Sequence, residues 1–377
     1  MIRRVVAWIV VLSVFTGAVC PAWAQSAVVD GLSWLKLQQQ PDGGITNGFA
    51  EGSDLGTTCD TIMAIAAGGQ RVNEWLSDNG NSPVDYLEDQ LSAGTVELLG
   101  LKAKVALTLL FAGEDPTAFA GQDLVSELEA SYESASGSYG STVYDQALIL
   151  VTLARAGRPL PEGAIQNLLD NQSDDGSWAL FGPTEDSVGD TNTTAMVIQA
   201  LIVADRLDEI DSALDYLHRV QNDDGGFPYQ NPSDYGTDSD ANSTAVVLQA
   251  LLAAGESPDD WAPQGTDPMQ ALELMQDTDT GAFFWQAAVA TPNVLATAQA
   301  IPALAGYTLV DLPQIDAATS GEPVVSATPS LLPTTGGAGA ATHVLLLVGG
   351  AVLCASGVVF LVAARARERG SVRVRKS

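Results

Sequence analysis

The feature that most constrains the fold of this chain is an internal repeat. Two segments, Asp190–Leu201 and Asp240–Leu251, align without gaps, and the glutamines that they share, Gln199 and Gln249, are 50 residues apart. A shorter copy at 296–301 places Gln299 in line with them, and looser apolar copies lie at 57–68, 98–113 and 144–157. Repetition of this kind is typical of one helical unit stacked several times.

A second signature alternates with the first and consists of Gln, then Asp and Gly, then often an aromatic residue. The clearest copy contains Gln221, Asp224, Gly225 and Phe227. Further copies begin at Gln39, Gln172 and Gln276, and degenerate ones lie near Tyr86 and Leu128. Gly just past a helix favours a left-handed cap, and Asp, Ser or Thr favours the start of the next helix. Each of six repeats is therefore predicted to be a helix, a turn and a second helix.

The two helices of each repeat differ in polarity. The second helix carries few charges, which predicts burial, whereas the first has charged edges, as in the segment 205–215, and is expected to face water. Buried and exposed helices alternating six times predict an all-α fold, an (α/α)6 barrel of two concentric rings with parallel inner helices. We expect this domain to span residues 25–310.

The two ends of the chain predict export and anchoring. Residues 1–24 contain two arginines, an apolar run and the sequence Ala-Trp-Ala, a signal-peptide pattern. Residues 311–331 are rich in Pro, Ser and Thr and are predicted to form a stalk. Residues 344–364 form an apolar stretch long enough for a transmembrane helix, followed by a basic tail, 365–377, that is expected to be cytoplasmic.

The segment 332–336 reads Leu-Pro-Thr-Thr-Gly and matches the L-P-x-T-G sorting signal of surface proteins. This match implies cleavage by sortase between Thr335 and Gly336 and attachment to cell-wall peptidoglycan. Without cleavage, the C-terminal helix is expected to hold the protein in the membrane. Either outcome predicts an extracellular location, anchored to the cell wall or the cell membrane.

Charge and cysteine content restrict the partners and the stabilising bonds. The chain has 46 Asp and Glu against 16 Lys and Arg, a net charge of −30, which repels phosphate backbones and argues against nucleic acid as a partner. Cys59 is the only cysteine between residues 25 and 310, so no disulfide is expected within the domain.

The Gln-Asp-Gly-aromatic turns resemble the QW repeats of squalene and other triterpene cyclases. The inner helices resemble those of the alpha-alpha toroid that these cyclases share with protein prenyltransferase beta subunits and cobalamin carriers. The resemblance covers residues 28–306 and implies the toroid fold. Fold alone does not imply function.

The resemblance to the cyclases implies an aspartate acid in the middle of a D-x-D-D-T-A frame, which protonates an alkene. This chain has the frame twice, beginning at Asp190 and at Asp240, but the middle position holds Asn192 and Asn242. An amide has no proton of comparable acidity, so cyclase activity is not expected. Asp190 and Asp240 are interpreted as helix caps or, alternatively, as catalytic carboxyls.

The other two resemblances also lack a complete site. The zinc ligands of prenyltransferases are not reproduced by Cys59, Asp60 and His218, so no metal site is predicted. The run 59–66 resembles an inner-helix segment of cobalamin carriers, but no second domain follows residue 310. No cofactor is predicted; a corrinoid, or calcium at turns such as 223–225, stays an open alternative.

We therefore predict a non-catalytic ligand-binding or adhesive module rather than an enzyme, with a small apolar ligand or a glycan at the barrel mouth. Alternatives are a surface enzyme acting on an isoprenoid or glycan with Asp190 and Asp240 as acid and base, an extracellular cobalamin-binding protein, and a display scaffold. The predicted ligand-binding residues are Asn192, Thr194, Asn242, Thr244, Trp178, Tyr229, Tyr235 and Trp285.

Overall fold

The computed structural model describes residues 22–312, apart from residues 141, 185–187 and 235. The sorting motif with Thr335 and Gly336, the apolar stretch 344–364 and most of the predicted signal peptide lie outside the described residues, as does Tyr235. Within the described ranges, no helix combines the length and apolar character needed to cross a bilayer.

Twelve α-helices in the described part of the chain form six pairs. The first helices of the pairs are α1 (Ala22–Lys36), α3 (Pro83–Ser92), α5 (Leu124–Ala130), α7 (Glu162–Asp170), α9 (Asp211–Val220) and α11 (Pro268–Glu273). The second helices are α2 (Leu55–Ala67), α4 (Leu99–Ala112), α6 (Val143–Arg155), α8 (Thr191–Val203), α10 (Ala241–Ala254) and α12 (Val294–Leu304). Among the described residues, extended pairing is limited to isolated bridges.

The second helices form a closed inner ring. Each packs on the next, from α2 through α4, α6, α8 and α10 to α12, and α12 packs back on α2. Their side chains supply most of the buried core; α8 and α10 each have ten buried residues. The predicted all-α (α/α)6 barrel is confirmed.

The repeated Asp-x-x-x-Thr spacing starts the inner helices and fixes the turn before them. The Asp240 side chain caps α10 by accepting the Ser243 backbone N–H at 2.8 Å. Four residues after the cap, the Thr244 hydroxyl accepts the N–H of Phe227 at 2.9 Å. Three further inner helices have the same pair of contacts, with caps Asp54, Asp190 and Asn293 and threonines Thr58, Thr194 and Thr297.

The Gln and Gly of the second signature join neighbouring repeats. Gln221 Nε2 donates to the Gly225 carbonyl of its own turn at 2.9 Å and to the Trp261 carbonyl of the next repeat at 2.8 Å. Gly225 has φ +83°, and a Cβ there would lie 2.1 Å from the Thr266 carbonyl oxygen. In the last repeat, Gln276 donates to the Ala27 carbonyl at 2.9 Å and so joins the last repeat to the first.

The segment 307–312 covers the end of the barrel where the inner helices finish. The Leu309 N–H donates to Gln199 Oε1 at 3.0 Å. Arg155, the last residue of α6, donates to the carbonyls of Val310 and Leu312. Leu312 is 1% exposed, so the barrel is closed at this end.

Candidate functional site

A cavity lies at the centre of the inner ring. The residues that line it occupy equivalent positions on the inner helices, counted from each N-cap. It encloses about 780 Å³, counted with its open mouth. One layer is the sixth residue after each N-cap: Asp60, Lys104, Leu148, Met196, Val246 and Gln299. A deeper layer is the ninth: Met63, Leu107, Gln199, Gln249 and Pro302.

The cavity opens where the inner helices begin. In the upper layer Lys104, Val246 and Gln299 are partly exposed, as is Tyr144 nearer the helix starts. In the deeper layer Gln199 is 0% and Gln249 6% exposed. The segment 307–312 forms the floor, because Thr308, Leu309 and Leu312 line it.

An ion pair lies in the wall of this cavity. Lys104 Nζ is 2.8 Å from Asp60 Oδ2, and the two side chains are only 13% and 6% exposed. Gln299 Nε2 donates to the same carboxylate oxygen at 3.4 Å, and Asn242 Nδ2 donates to Gln299 Oε1 at 2.9 Å. Charges are costly to desolvate, and a hydrophobic pair often gives equal stability. An ion pair in a cavity is therefore a candidate for function rather than for folding.

Asp60 is the only carboxyl group among the described residues that line the cavity. Burial raises its pKa, and the charge of Lys104 and the hydrogen bonds from Lys104 and Gln299 oppose that rise. Burial raises the pKa of the adjacent Cys59 thiol to about 12, which disfavours the nucleophilic thiolate. Asp60 is thus the group in the cavity best suited to exchange a proton.

The floor of the cavity offers an unused hydrogen-bond donor. Gln199 is fully buried, and its Oε1 accepts the Leu309 N–H. Its Nε2 has no hydrogen-bond partner. Buried polar groups are normally satisfied, so this amide is a natural partner for a bound polar molecule.

The two carboxyls considered from sequence, Asp190 and Asp240, are helix caps. Asp190 accepts the Thr193 N–H at 2.7 Å, and Asp240 accepts that of Ser243. Both contact Tyr229, whose hydroxyl bonds Asp190 and whose N–H bonds Asp240. Burial raises the pKa of each to about 6. Neither lines the central cavity.

Three of the predicted ligand-binding residues lie in the wall between repeats rather than at the mouth. Trp178 is 0% exposed, and its Nε1 donates to the Leu168 carbonyl at 2.7 Å. Thr194 and Thr244 are also 0% exposed, because their hydroxyls bond the backbone of the preceding turn. In this arrangement these three side chains have no surface to offer a ligand.

The other predicted residues lie nearer the mouth. Asn192 is partly exposed, and Asn242 is 9% exposed and bonded to Gln299. Tyr229 and Trp285 are half-buried, and their carbonyls accept the first N–H groups of α8 and α10, from Thr191 and Ala241. These loops therefore hold neighbouring repeats together at the mouth.

His218 stacks on Trp261, with ring centroids 3.5 Å apart, on an outer helix. Across the described residues, no group of three or more His, Cys, Asp or Glu side chains is arranged to hold a metal ion.

Sequence reasoning missed Asp60 and Lys104 as a pair, although a signal was present. Asp60 is the one charge in the apolar helix α2, Lys104 is one of two charges in α4, and each is the sixth residue after its helix cap. The sequence alignment of Gln299 with Gln199 and Gln249 is wrong by three residues. Gln299 is sixth after its cap, Asn293, whereas Gln199 is ninth after Asp190.

Comparisons with known proteins support the fold. The family profile of the squalene-hopene cyclase C-terminal domain matches residues 141–293. This range contains both D-x-N frames. The chain is an alpha-alpha toroid. The predicted resemblance to the terpenoid cyclase and prenyltransferase superfamily is thereby confirmed. No curated protein sequence matches this chain.

Solved structures with the same toroid include an unsaturated glucuronyl hydrolase from Bacillus sp. GL1 that degrades glycosaminoglycan. It has 14% identity and a TM-score of 0.54 over 74% of this chain and 96% of that one. A possible GH105 family member from Klebsiella pneumoniae has 15% identity and a TM-score of 0.53 over 81% and 98%. A glycosidase in complex with glucose has 15% identity and a TM-score of 0.51 over 75% and 97%.

These neighbours correct the functional prediction made from sequence. A non-catalytic binding or adhesive module was expected because both D-x-N frames lack the cyclase acid. That expectation is wrong, because the solved toroids that this chain resembles include an unsaturated glucuronyl hydrolase and a glycosidase. The absent acid in the frames argues only against cyclase chemistry, since a different carboxyl, Asp60, lies in the cavity.

Proposed function

We propose that the toroid is a hydrolase that acts on a glycan end inserted into the central cavity, with Asp60 as its acid and base. The observation that carries this proposal is the Asp60–Lys104 pair, 2.8 Å apart in the cavity wall. The glycan-degrading toroids support the substrate class. The buried amides Gln199 and Gln249 at the floor suit the hydroxyl groups of a sugar.

The single carboxyl in the lining favours a particular reaction. Hydrolysis of a saturated glycoside generally uses two carboxyl groups on either side of the bond. Addition of water to a carbon–carbon double bond in a sugar ring needs only one group that gives and then takes a proton. The fold neighbour named as an unsaturated glucuronyl hydrolase acts on a sugar of that kind. We therefore assign an unsaturated, acidic sugar end as the substrate.

The proton transfers balance around Asp60. Its carboxylic acid donates a proton to one carbon of the ring double bond, and the electron pair of that bond forms the new C–H bond. The ring oxygen stabilises the cation on the neighbouring carbon. Water adds there and returns a proton to the Asp60 carboxylate. The hydrated ring then opens to a ketone, which leaves a hemiacetal at the anomeric carbon. This hemiacetal collapses to an aldehyde as its bond to the remaining glycan breaks, and the glycan leaves as an alcohol.

Lys104 explains how Asp60 acquires the proton it must donate. In the free protein, the ammonium of Lys104 stabilises the Asp60 carboxylate. When the carboxylate of an acidic sugar pairs with Lys104, Asp60 loses its counter-ion in a buried site. Desolvation then raises the pKa of Asp60, so that it binds a proton. The substrate thus activates its own acid.

The test uses two disaccharides that differ only in the ring double bond of the terminal uronic acid. Loss of the ultraviolet absorbance of the double bond measures turnover of the unsaturated compound, and chromatography of the released second sugar measures turnover of both compounds. We expect turnover of the unsaturated compound alone, and its loss in Asp60→Asn, which keeps the volume and hydrogen bonds of the side chain. Turnover of the saturated compound, or undiminished activity of Asp60→Asn, contradicts the proposal.

We also propose that the enzyme works outside the cell, anchored to peptidoglycan by sortase. The L-P-T-T-G motif, the apolar stretch and the basic tail stand in the order that this sorting requires. The test is cell fractionation with Thr335→Ala. We expect the parent protein in the wall fraction and the variant in the membrane fraction, held by residues 344–364. An unchanged distribution of the variant rules out sortase attachment.

A further inference from the structure

A chain of hydrogen bonds links one of the D-x-N frames to the acid in the cavity. Asn242, the middle residue of the frame on α10, donates from Nδ2 to Gln299 Oε1 on α12 at 2.9 Å. Gln299 donates from Nε2 to Asp60 Oδ2 on α2 at 3.4 Å. Asp60 in turn pairs with Lys104 on α4. Four inner helices therefore contribute to one connected set of polar groups.

The chemistry of Asn242 sets the direction of this chain. An asparagine side chain offers two N–H donors, whereas an ionised aspartate only accepts. Because Asn242 donates to Oε1 of Gln299, the NH₂ end of the Gln299 amide faces Asp60. With an aspartate at position 242, the Gln299 NH₂ group is drawn toward that carboxylate, and Gln299 presents its oxygen to Asp60.

We infer that Asn242 and Gln299 are positioning residues, which hold the Asp60 carboxyl by a directed pair of amide hydrogen bonds. This inference rests on the proposed function of Asp60. It gives Asn242 in the α10 frame a role of its own. The amide is required at this position because it donates a hydrogen bond to Gln299. The catalytic proton, which an amide does not supply, comes from Asp60.

The second frame in the same chain is a natural control. Asn192 holds the same position on α8, but its Oδ1 accepts from the Thr191 hydroxyl at 3.3 Å. The residue on α10 that corresponds to Gln299 is Val246, which has no polar group. Asn192 therefore has the same sequence context as Asn242 without the connection to the acid.

The electrostatic surroundings of Asp60 are simple. Lys104 of α4 carries the positive charge, Asp54 at the start of α2 adds a negative one, and α12 presents the neutral Gln299. A hydrogen bond from Gln299 Nε2 favours the ionised form of Asp60, whereas the Gln299 oxygen in its place favours the protonated form. Reversal of the amide is therefore expected to raise the pKa of Asp60.

The experiment compares Asn242→Asp with Asn192→Asp in the whole protein. Asp60 is titrated by carboxyl ¹³C NMR, with its signal assigned as the one that disappears in Asp60→Asn. We expect Asn242→Asp to raise the pKa of Asp60 by about one unit and to move the pH profile of kcat/KM in the same direction. Asn192→Asp, which adds the same charge at the same level, is expected to leave the pKa of Asp60 unchanged.

Gln299→Met provides a second variant if Asn242→Asp does not fold. It removes the donor at nearly constant volume and is also expected to raise the pKa of Asp60. Equal Asp60 titrations in the parent, Asn242→Asp and Gln299→Met proteins overturn the inference. The titration needs no substrate, so this outcome is distinct from failure of the proposed function, which is full turnover by Asp60→Asn.

Discussion

Replacement of Lys104 by methionine tests whether the cavity contains a true buried ion pair. Methionine keeps the length of the side chain but removes its charge, which leaves Asp60 buried at 6% exposure without its counter-ion. Loss of one partner of a buried pair costs about 3–5 kcal/mol of unfolding free energy. Asp60 escapes part of that cost by binding a proton.

The pH dependence gives this prediction its sign. Burial already raises the pKa of Asp60, and removal of Lys104 removes the largest opposing influence. A carboxyl whose pKa is higher in the folded state favours folding below its unfolded pKa, and that contribution is lost as pH rises through the folded pKa. Lys104→Met is therefore expected to cost little near pH 4 and the most near pH 8.

Urea denaturation of four proteins at both pH values measures the effect: the parent, Lys104→Met, Asp60→Asn, and the double variant. The double variant leaves no buried charge, so we expect it to be more stable at pH 8 than Lys104→Met alone. A Lys104→Met penalty that is the same at both pH values, or a double variant whose loss equals the sum of the single losses, refutes this reasoning.

Three further predictions concern the closure of the helical ring, the helix caps Asp190 and Asp240, and the net charge of the protein. Gln276→Ala removes the hydrogen bond to Ala27 that joins the last repeat to the first, so it is expected to cost about 1–3 kcal/mol in thermal unfolding; Gln172→Ala, whose partner is an exposed hydroxyl, should cost less. Burial raises the pKa of Asp190 and of Asp240 to about 6 from an ordinary 3.8, so the free energy of unfolding is expected to fall by roughly 3 kcal/mol per group as the pH rises from 4 to 6. Asp190→Asn and Asp240→Asn keep the helix caps but remove the titrating groups, so a pH dependence of stability that is the same in these variants contradicts the raised pKa values. A net charge of −30 repels an acidic glycan, so kcat/KM should rise with added salt through screening, and a fall would show that local attraction dominates.

The fold was predictable because its signals are local. Four of the six inner helices begin at a side-chain cap followed four residues later by a threonine, as at Asp240 and Thr244, and both residues act within their own repeat. Gln221 and Gly225 likewise join adjacent repeats through one turn. The alternation of helices and the closure of the ring follow from such contacts repeated around the barrel.

The site was less predictable because its contacts join different repeats whose residues are far apart in sequence. Asp60 and Lys104 are 44 residues apart, and Gln299 is 239 residues from Asp60. Their common register appears only when each helix start is known, and the sequence alignment placed Gln299 one turn too deep. The frame residues Asp190 and Thr194 stood out in sequence because they recur, and they recur because Asp190 caps its helix and Thr194 fixes the turn before it.

Asp60, and not either of the frame carboxyls, is the group that we propose performs the chemistry. The most direct measurement is kcat/KM on the unsaturated disaccharide for three matched variants, Asp60→Asn, Asp190→Asn and Asp240→Asn, each checked for folding by circular dichroism. Asn is as good a helix cap as Asp, so the two cap variants should stay folded and active. We predict a loss of at least 100-fold, on the order of one lost acid–base group, for Asp60→Asn alone. Full activity of Asp60→Asn with loss in either folded cap variant would contradict the account.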